Sequence, residues 1–259
     1  MDLKLKDKVI IVTGGSKGIG YGICKVLAEE GAIPVIIGRT EPDVLDAVKE
    51  IKDQGGQAFY AIAELTHKDE CKNAIDLVIK EFGRIDGLVN NAGINDNVGL
   101  EDGNYDDFLR SIRRNVGHYY AMAHYALPEL KKSKGAIVNI GSKVSVTGQG
   151  GTSGYAAANG GRNALTREWA VELLPYEIRV NAVIVAECYT PLYKKWLDTF
   201  SKPEEKLKSI TKDIPLENRM TTATEIANTV AFLLSETSSH TTGQLLFVDG
   251  GYTHLDRSI

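Results

Sequence analysis

Four successive apolar residues, Val9-Ile10-Ile11-Val12, run directly into Thr13-Gly14-Gly15-Ser16-Lys17-Gly18-Ile19-Gly20, after which a helical run begins. A strand apolar at every position has to be covered on both faces, as in the interior of a parallel sheet with helices on either side. Residues 9–12, 35–37, 58–62, 88–89, 136–140, 180–184 and 245–248 are seven runs of this kind. Between them, helix-like stretches begin near Gly18, Pro42, Lys68, Tyr105, Ser153 and Thr224, each long enough for a right-handed crossover. The alternation predicts an α/β fold with a doubly wound, parallel, seven-stranded sheet in three layers. No internal repeat or Pro/Ser-rich linker interrupts it, so residues 1–259 are expected to form one domain, and a hydrophobic fraction of 43% suffices for its core. The one long break, residues 187–221, contains Pro191, Trp196, Phe200, Pro203 and Pro215. Loop and short helices are expected there, forming a lid over a ligand pocket before the last helix and strand.

Charge narrows the partners. The net charge of -4 comes from acidic and basic residues mixed along the chain, without the basic face that nucleic acid or anionic lipid requires. A small neutral or weakly polar ligand fits better. Cys24, Cys71 and Cys188 are far apart and form no CxxC pair, which suggests a reducing, cytoplasmic setting. The N-terminal residues lack the apolar stretch of a signal peptide, and no segment approaches the roughly 18 consecutive apolar residues of a membrane span. No His/Cys/Asp/Glu cluster has metal-ligand spacing.

The glycine-rich segment after the first strand has the context of a phosphate loop. Gly14 allows a tight turn, Gly18 lets backbone approach a pyrophosphate, and Gly20 lets the helix pack closely while its N-terminus faces the phosphates. A dinucleotide is the expected cofactor. At the end of the second strand, where a carboxylate would meet the ribose 2′-hydroxyl of NAD, this chain has Gly38-Arg39. Arg39 suits a 2′-phosphate through a bidentate charged contact, so NADP is favoured over NAD; the alternative is a surface pair between Arg39 and Glu41.

The TGxxxGxG spacing is followed in order by Asn90-Asn91-Ala92-Gly93, Asn115, Ser142, Tyr155 and Arg179-Val180-Asn181. With these motifs the chain resembles the classical short-chain dehydrogenase/reductase family along almost its whole length. The resemblance implies a Rossmann fold in which Gly14, Ser16, Lys17, Gly18, Ile19 and Gly20 hold the pyrophosphate side of the cofactor. Lys17 would add a second cation, as in members that use NADP. Asn91, Ala92 and Gly93 would line the adenosine-ribose side. Glu64 and Leu65 would lie beside the adenine, unless Glu64 is a solvated strand-end charge. Thr190 would touch the carboxamide, although the family's Pro-Gly at the lid entrance is Val185-Ala186 here. A homo-oligomer, tetramer or dimer, is also implied.

The family's chemistry is hydride transfer between nicotinamide and a carbinol carbon. Ser142 matches the serine that orients the oxygen, and Tyr155 the tyrosine that takes the hydroxyl proton. A tyrosine ordinarily ionises near pH 10, so it needs a cation to act as a base at neutral pH. The family supplies a lysine four residues on, one helical turn away. Here the motif reads Tyr155-Ala156-Ala157-Ala158-Asn159. Asn159 can hydrogen-bond the nicotinamide ribose but brings no charge. Asn115 matches the asparagine at a helix distortion that holds a water linking the lysine to solvent, and that relay would be idle. Lys143 reads as a solvated lysine, and His118 and His124 as partly buried helix residues. Sequence alone therefore expects impaired turnover with cofactor binding retained, and a gain in turnover from Asn159→Lys. The alternative is a catalytically inactive dinucleotide-binding protein.

Within the family, residues 118–125, 147–150, 165–170 and 247–257 resemble the bacterial L-fucose dehydrogenases, which oxidise the anomeric C1 hydroxyl to a lactone. A sugar needs convergent polar groups and an apolar face. Besides Ser142 and Tyr155, the substrate candidates are Asn95, Asp96, Gln149, Glu187 and Trp196, each of which can instead be a loop-capping or packing residue.

Overall fold

Every residue of β1 (Val9–Thr13) is buried, and its side chains divide between two cores. Ile10 and Val12 join a cluster with Ile23, Cys24 and Leu27 of α1 (Gly18–Glu29), Val44 and Ile51 of α2 (Glu41–Asp53), and Ile226 and Val230 of α9 (Ala223–Leu234). Val9 and Ile11 join a second cluster with Ile75 and Val78 of α3 (Lys68–Phe82), Tyr119 and Met122 of α5 (His118–Ser133), and Trp169 of α6 (Ser153–Glu172). The two-sided burial is the physical reason the strand carries no polar alternation.

The other strands are β2 (Ile33–Gly38), β3 (Phe59–Ile62), β4 (Gly87–Asn90), β5 (Ala136–Ser142), β6 (Arg179–Val185) and β7 (Leu245–Val248). They form one parallel sheet in the order β3-β2-β1-β4-β5-β6-β7. This is the doubly wound Rossmann arrangement predicted, in a computed structural model that describes residues 2–255. Asp256 and Arg257, the end of the 247–257 stretch, lie outside the described residues. The strand order reverses between β1 and β4, and the crevice at their carboxyl ends is where such sheets take ligands.

The helix expected from Tyr105 is longer and less regular than its pattern suggested. α4 (Tyr105–Ile112) continues through a π-helical turn at Arg113–Gly117 into α5. Such turns concentrate at functional sites, and this one contains Asn115. Residues 187–221 hold two short helices, α7 (Pro191–Leu197) and α8 (Pro203–Thr211), each with proline at its first position, where the missing N–H costs nothing. Among the described residues no helix is long and apolar enough to cross a membrane.

Candidate active site

The glycine loop is held by the neighbouring strand ends. Asn91 donates from Nδ2 to the carbonyls of Thr13 (2.9 Å) and Gly14 (3.3 Å), and the amides of Asn91 and Ala92 both donate to Thr13 Oγ1. A methyl group at Gly20 would stand 2.2 Å from the Gly14 carbonyl oxygen and 2.6 Å from Asn91 Nδ2, so only glycine lets α1 start this close to the loop. Gly18, at φ +56°, lies against Thr190 at the start of the lid. Lys17 caps α1 without a side-chain hydrogen bond, which leaves the first-turn amides to an anion.

Along the carboxyl edge of the sheet these residues line a cleft of ≈ 880 Å³. Gly14, Ser16, Lys17, Gly18, Ile19, Gly20, Arg39, Glu64, Leu65, Asn91, Ala92, Gly93, Tyr155 and Thr190 all contribute to its wall, as does Ser142. The cleft size, the open helix N-terminus and the close-packed glycines fit a dinucleotide.

The two cations that favoured NADP both carry partners. Lys17 pairs with Asp43 at 2.6 Å, and Arg39 pairs with Glu64 at 3.2 Å rather than with Glu41. β2 and β3 end side by side, with Gly38 opposite Ile62, and this brings Arg39 and Glu64 together across the strand ends. Glu64 is not a free solvated charge. Burial pushes its carboxyl up, but the Thr66 amide and Arg39 outweigh that and hold it below the usual range.

Asn159 does not line the cleft. It is fully buried, its Nδ2 donates to the Tyr155 carbonyl at 2.9 Å, and its Oδ1 accepts from Arg162 at 3.0 Å. These bonds use one N–H and one oxygen lone pair of the amide within α6. Asn115 sits in the π turn as the resemblance implied, with Oδ1 accepting the Ile94 amide at 2.8 Å. Its carbonyl accepts two N–H groups of Arg162, from Nε at 2.8 Å and Nη2 at 2.5 Å.

Arg162 is the cleft residue that sequence reasoning missed. The residue is 2% exposed, its guanidinium donates a further bond to the Ile140 carbonyl at 3.1 Å, and it lines the cleft wall. It lies 4.4 Å from the ring centre of Tyr119 and 5.9 Å from that of Tyr155. Among the described residues it has no carboxylate partner. A signal was present: an arginine seven residues after Tyr155 falls on the same helix face two turns on, in a stretch otherwise small or apolar.

His118 is fully buried rather than partly so, and donates Nε2–H to the Ala92 carbonyl at 3.1 Å. Burial first, and the guanidinium of Arg162 second, push it down to about 3, so it is neutral at physiological pH. His124 is exposed and stacks on Tyr120. Lys143 corrects the expectation of a solvated lysine. It is buried, bonded to Glu187, and set over the Tyr252 ring at 4.0 Å. Sequence analysis missed this because Glu187 lies 44 residues away, at the end of β6.

The substrate candidates do not converge. Asn95 Oδ1 accepts from Thr152 Oγ1 at 2.6 Å and from the Asn97 amide, while Asp96 accepts from Ser111 at 2.7 Å and lies 3.7 Å from Arg114. Glu187 is held by Lys143 and by the Tyr193 hydroxyl at 2.7 Å. Trp196 packs edge-on against Tyr193 and Phe200 on the lid, and Gln149 is exposed on the loop before α6. Only Ser142 and Tyr155 of that set reach the cleft.

Residues 14–253 match a sequence model of the family described as enoyl-(acyl carrier protein) reductase. The crystal structure of Cj0485 dehydrogenase superposes with a TM-score of 0.96 at 47% identity, covering 100% of this chain and 99% of that one. Cyclopentanol dehydrogenase of a Comamonas species is 34% identical over 96% of this chain and 98% of its own. L-fucose dehydrogenase of Bos taurus is 31% identical over 97% of this chain and 91% of its own.

Proposed function

The chain belongs to the classical short-chain dehydrogenase/reductase family, and from that premise we propose that it is an NAD(P)-dependent dehydrogenase acting on a sugar hydroxyl, namely the C1 hydroxyl of L-fucose or a related aldose. One observation carries the reading: Ser142 and Tyr155 stand on the wall of the same cleft as the residues fitted to a dinucleotide. Bound there, an oxidised nicotinamide would accept a hydride from the carbinol carbon. Ser142 orients the substrate oxygen, and Tyr155 receives its proton. The glycine loop and the first turn of α1 hold the pyrophosphate, and Asn91 keeps loop and sheet edge in register.

The sugar assignment is supported by the four resembling stretches and by the bovine L-fucose dehydrogenase. In this reading Trp196 on the lid supplies the apolar face, and Asn95, Asp96, Gln149 and Glu187 are the candidate polar groups for the ring. Arg39 and Lys17 favour NADP, on exchanging their carboxylate partners for a 2′-phosphate. Free, buried cysteines suit a reducing cytoplasm. Exposed Leu109, Tyr120 and Val171 on α4, α5 and α6 support a homo-oligomer, a tetramer or dimer.

A second reading, a dinucleotide-binding protein without turnover, rests on the neutral Asn159. One assay separates them: dinucleotide titration, then NAD(P)H formation across aldoses and cyclic alcohols. Saturable binding and preference for L-fucose or D-arabinose over D-glucose are expected. A simple secondary alcohol as best substrate would overturn the sugar assignment, and binding without turnover of any hydroxyl would favour the second reading.

A further inference from the structure

We propose that Arg162 supplies to Tyr155 the positive charge that the family takes from a lysine at the position of Asn159, so that Asn159 and Arg162 together form a relocated cation site. The inference rests on the reading above that Tyr155 is the proton acceptor.

Arg162 is 2% exposed, and burying a guanidinium is costly unless something repays its lost hydration; buried charges are ordinarily paired with an opposite charge. Arg162 is satisfied as a hydrogen-bond donor by three oxygens, from Asn115, Ile140 and Asn159, all of them neutral. Its charge is therefore uncompensated; of the two phenols beside it, Tyr119 at 4.4 Å spends its hydroxyl on the Ile140 carbonyl, which leaves Tyr155, whose ring centre is 5.9 Å away. A cation near an ionisable group favours the charged form of that group. Arginine keeps its protons at all working pH values, so it serves as a fixed charge while the substrate hydroxyl proton passes to Tyr155.

The surroundings hold that charge in place. A methyl at Gly93 would stand 2.7 Å from Arg162 Nη2, so the glycine of the Asn-Asn-Ala-Gly turn makes room for the guanidinium. The π turn that presents the Asn115 carbonyl offers it to this arginine. The other titratable and charged groups facing the pair do not compete. His118, from α5, is held neutral by burial and by Arg162 itself. Tyr119 spends its hydroxyl on the Ile140 carbonyl at 2.9 Å. Arg114 is 3.7 Å from Asp96, and Lys143 is bonded to Glu187. Lys195 of α7 stands on the cleft wall with the lid.

The test has two readings, one independent of turnover. In cofactor-free protein, the phenolate absorbance that Tyr155→Phe removes should appear at lower pH in the wild type than in Arg162→Met. With the preferred substrate, Arg162→Met should lower kcat at pH 7 by about 100-fold and move the acid limb of the profile to higher pH, the range a general base contributes. Dinucleotide Kd should change little. Adding Asn159→Lys to Arg162→Met should recover both readings, because the charge returns to the family's position. Should Arg162→Met fail to fold, Arg162→Gln keeps donors without charge and is read the same way. An unchanged absorbance titration, or an unchanged kcat and pH profile, would overturn the proposal. A wild type that turns over no hydroxyl would sink the dehydrogenase reading alone, since the absorbance titration still decides on Arg162.

Discussion

Nη1 of Arg162 lies 3.0 Å from Oδ1 of Asn159, one turn back on the same helix, so the amide at position 159 accepts a hydrogen bond from a buried cation. The contact bears on the expectation formed on sequence alone, in which a lysine at 159 would restore a missing charge. With Arg162 present, Asn159→Lys would set an ammonium beside a guanidinium at a buried position. We expect a stability loss of roughly 3 kcal/mol in urea unfolding and no gain in kcat. A rise in kcat with unchanged stability would return position 159 to the role of vacant cation site.

Arg39 and Glu64 meet across the ends of β2 and β3 at 3.2 Å. Arg39→Asp should weaken NADP binding by about 10- to 100-fold, the worth of a charge-assisted hydrogen bond, and leave NAD binding far less affected. Fluorescence titration of both dinucleotides against wild type and variant gives the comparison. Equal losses would mean that Arg39 does not meet the 2′-phosphate.

The buried imidazole of His118 makes stability depend on pH in one direction. Its folded value, about 3, lies below the ordinary 6.5, so in the window between them the unfolded chain takes up a proton that the folded protein refuses. The stability is fully present above pH 6.5 and falls by about 1.4 kcal/mol per pH unit below it. Urea midpoints from pH 7 to 5 should fall more steeply for the wild type than for His118→Asn. Parallel slopes would refute the assignment.

Lys143, Glu187 and Tyr193 join the end of β5 to the start of the lid. Lys143→Met strands a carboxylate that is 15% exposed and should cost about 3 kcal/mol. Adding Glu187→Gln should return most of that loss, because it removes the orphaned charge. A double variant no more stable than the single one would show that the pair is not what secures this junction.

The parallel sheet was legible in residues 9–12 and the six other apolar runs, because a strand buried on both faces has no polar alternation to disguise it. The cofactor end was equally legible. Gly14, Gly18, Gly20 and Asn91 work through backbone conformation and close approach, and those demands are written at fixed spacing within one strand–turn–helix unit. Asn95, Asp96, Glu187 and Trp196 were chosen for their chemistry, and the fold spends them on contacts with Thr152, Ser111, Lys143 and Tyr193. Those partners come from other elements, at separations that no local pattern records. Arg162 was hidden for the same reason. In sequence it is an arginine on a helix, a residue that normally reaches for water. The π turn, the Asn115 carbonyl and Gly93 converge on it only in three dimensions, and that convergence turns a surface type of residue into a buried cation facing Tyr155. Sequence by itself determined the sheet, the glycine loop and the serine and tyrosine that share a cleft; the tertiary structure decided where the nearest buried charge resides, because charge acts through distance and burial, which spacing along a chain does not encode.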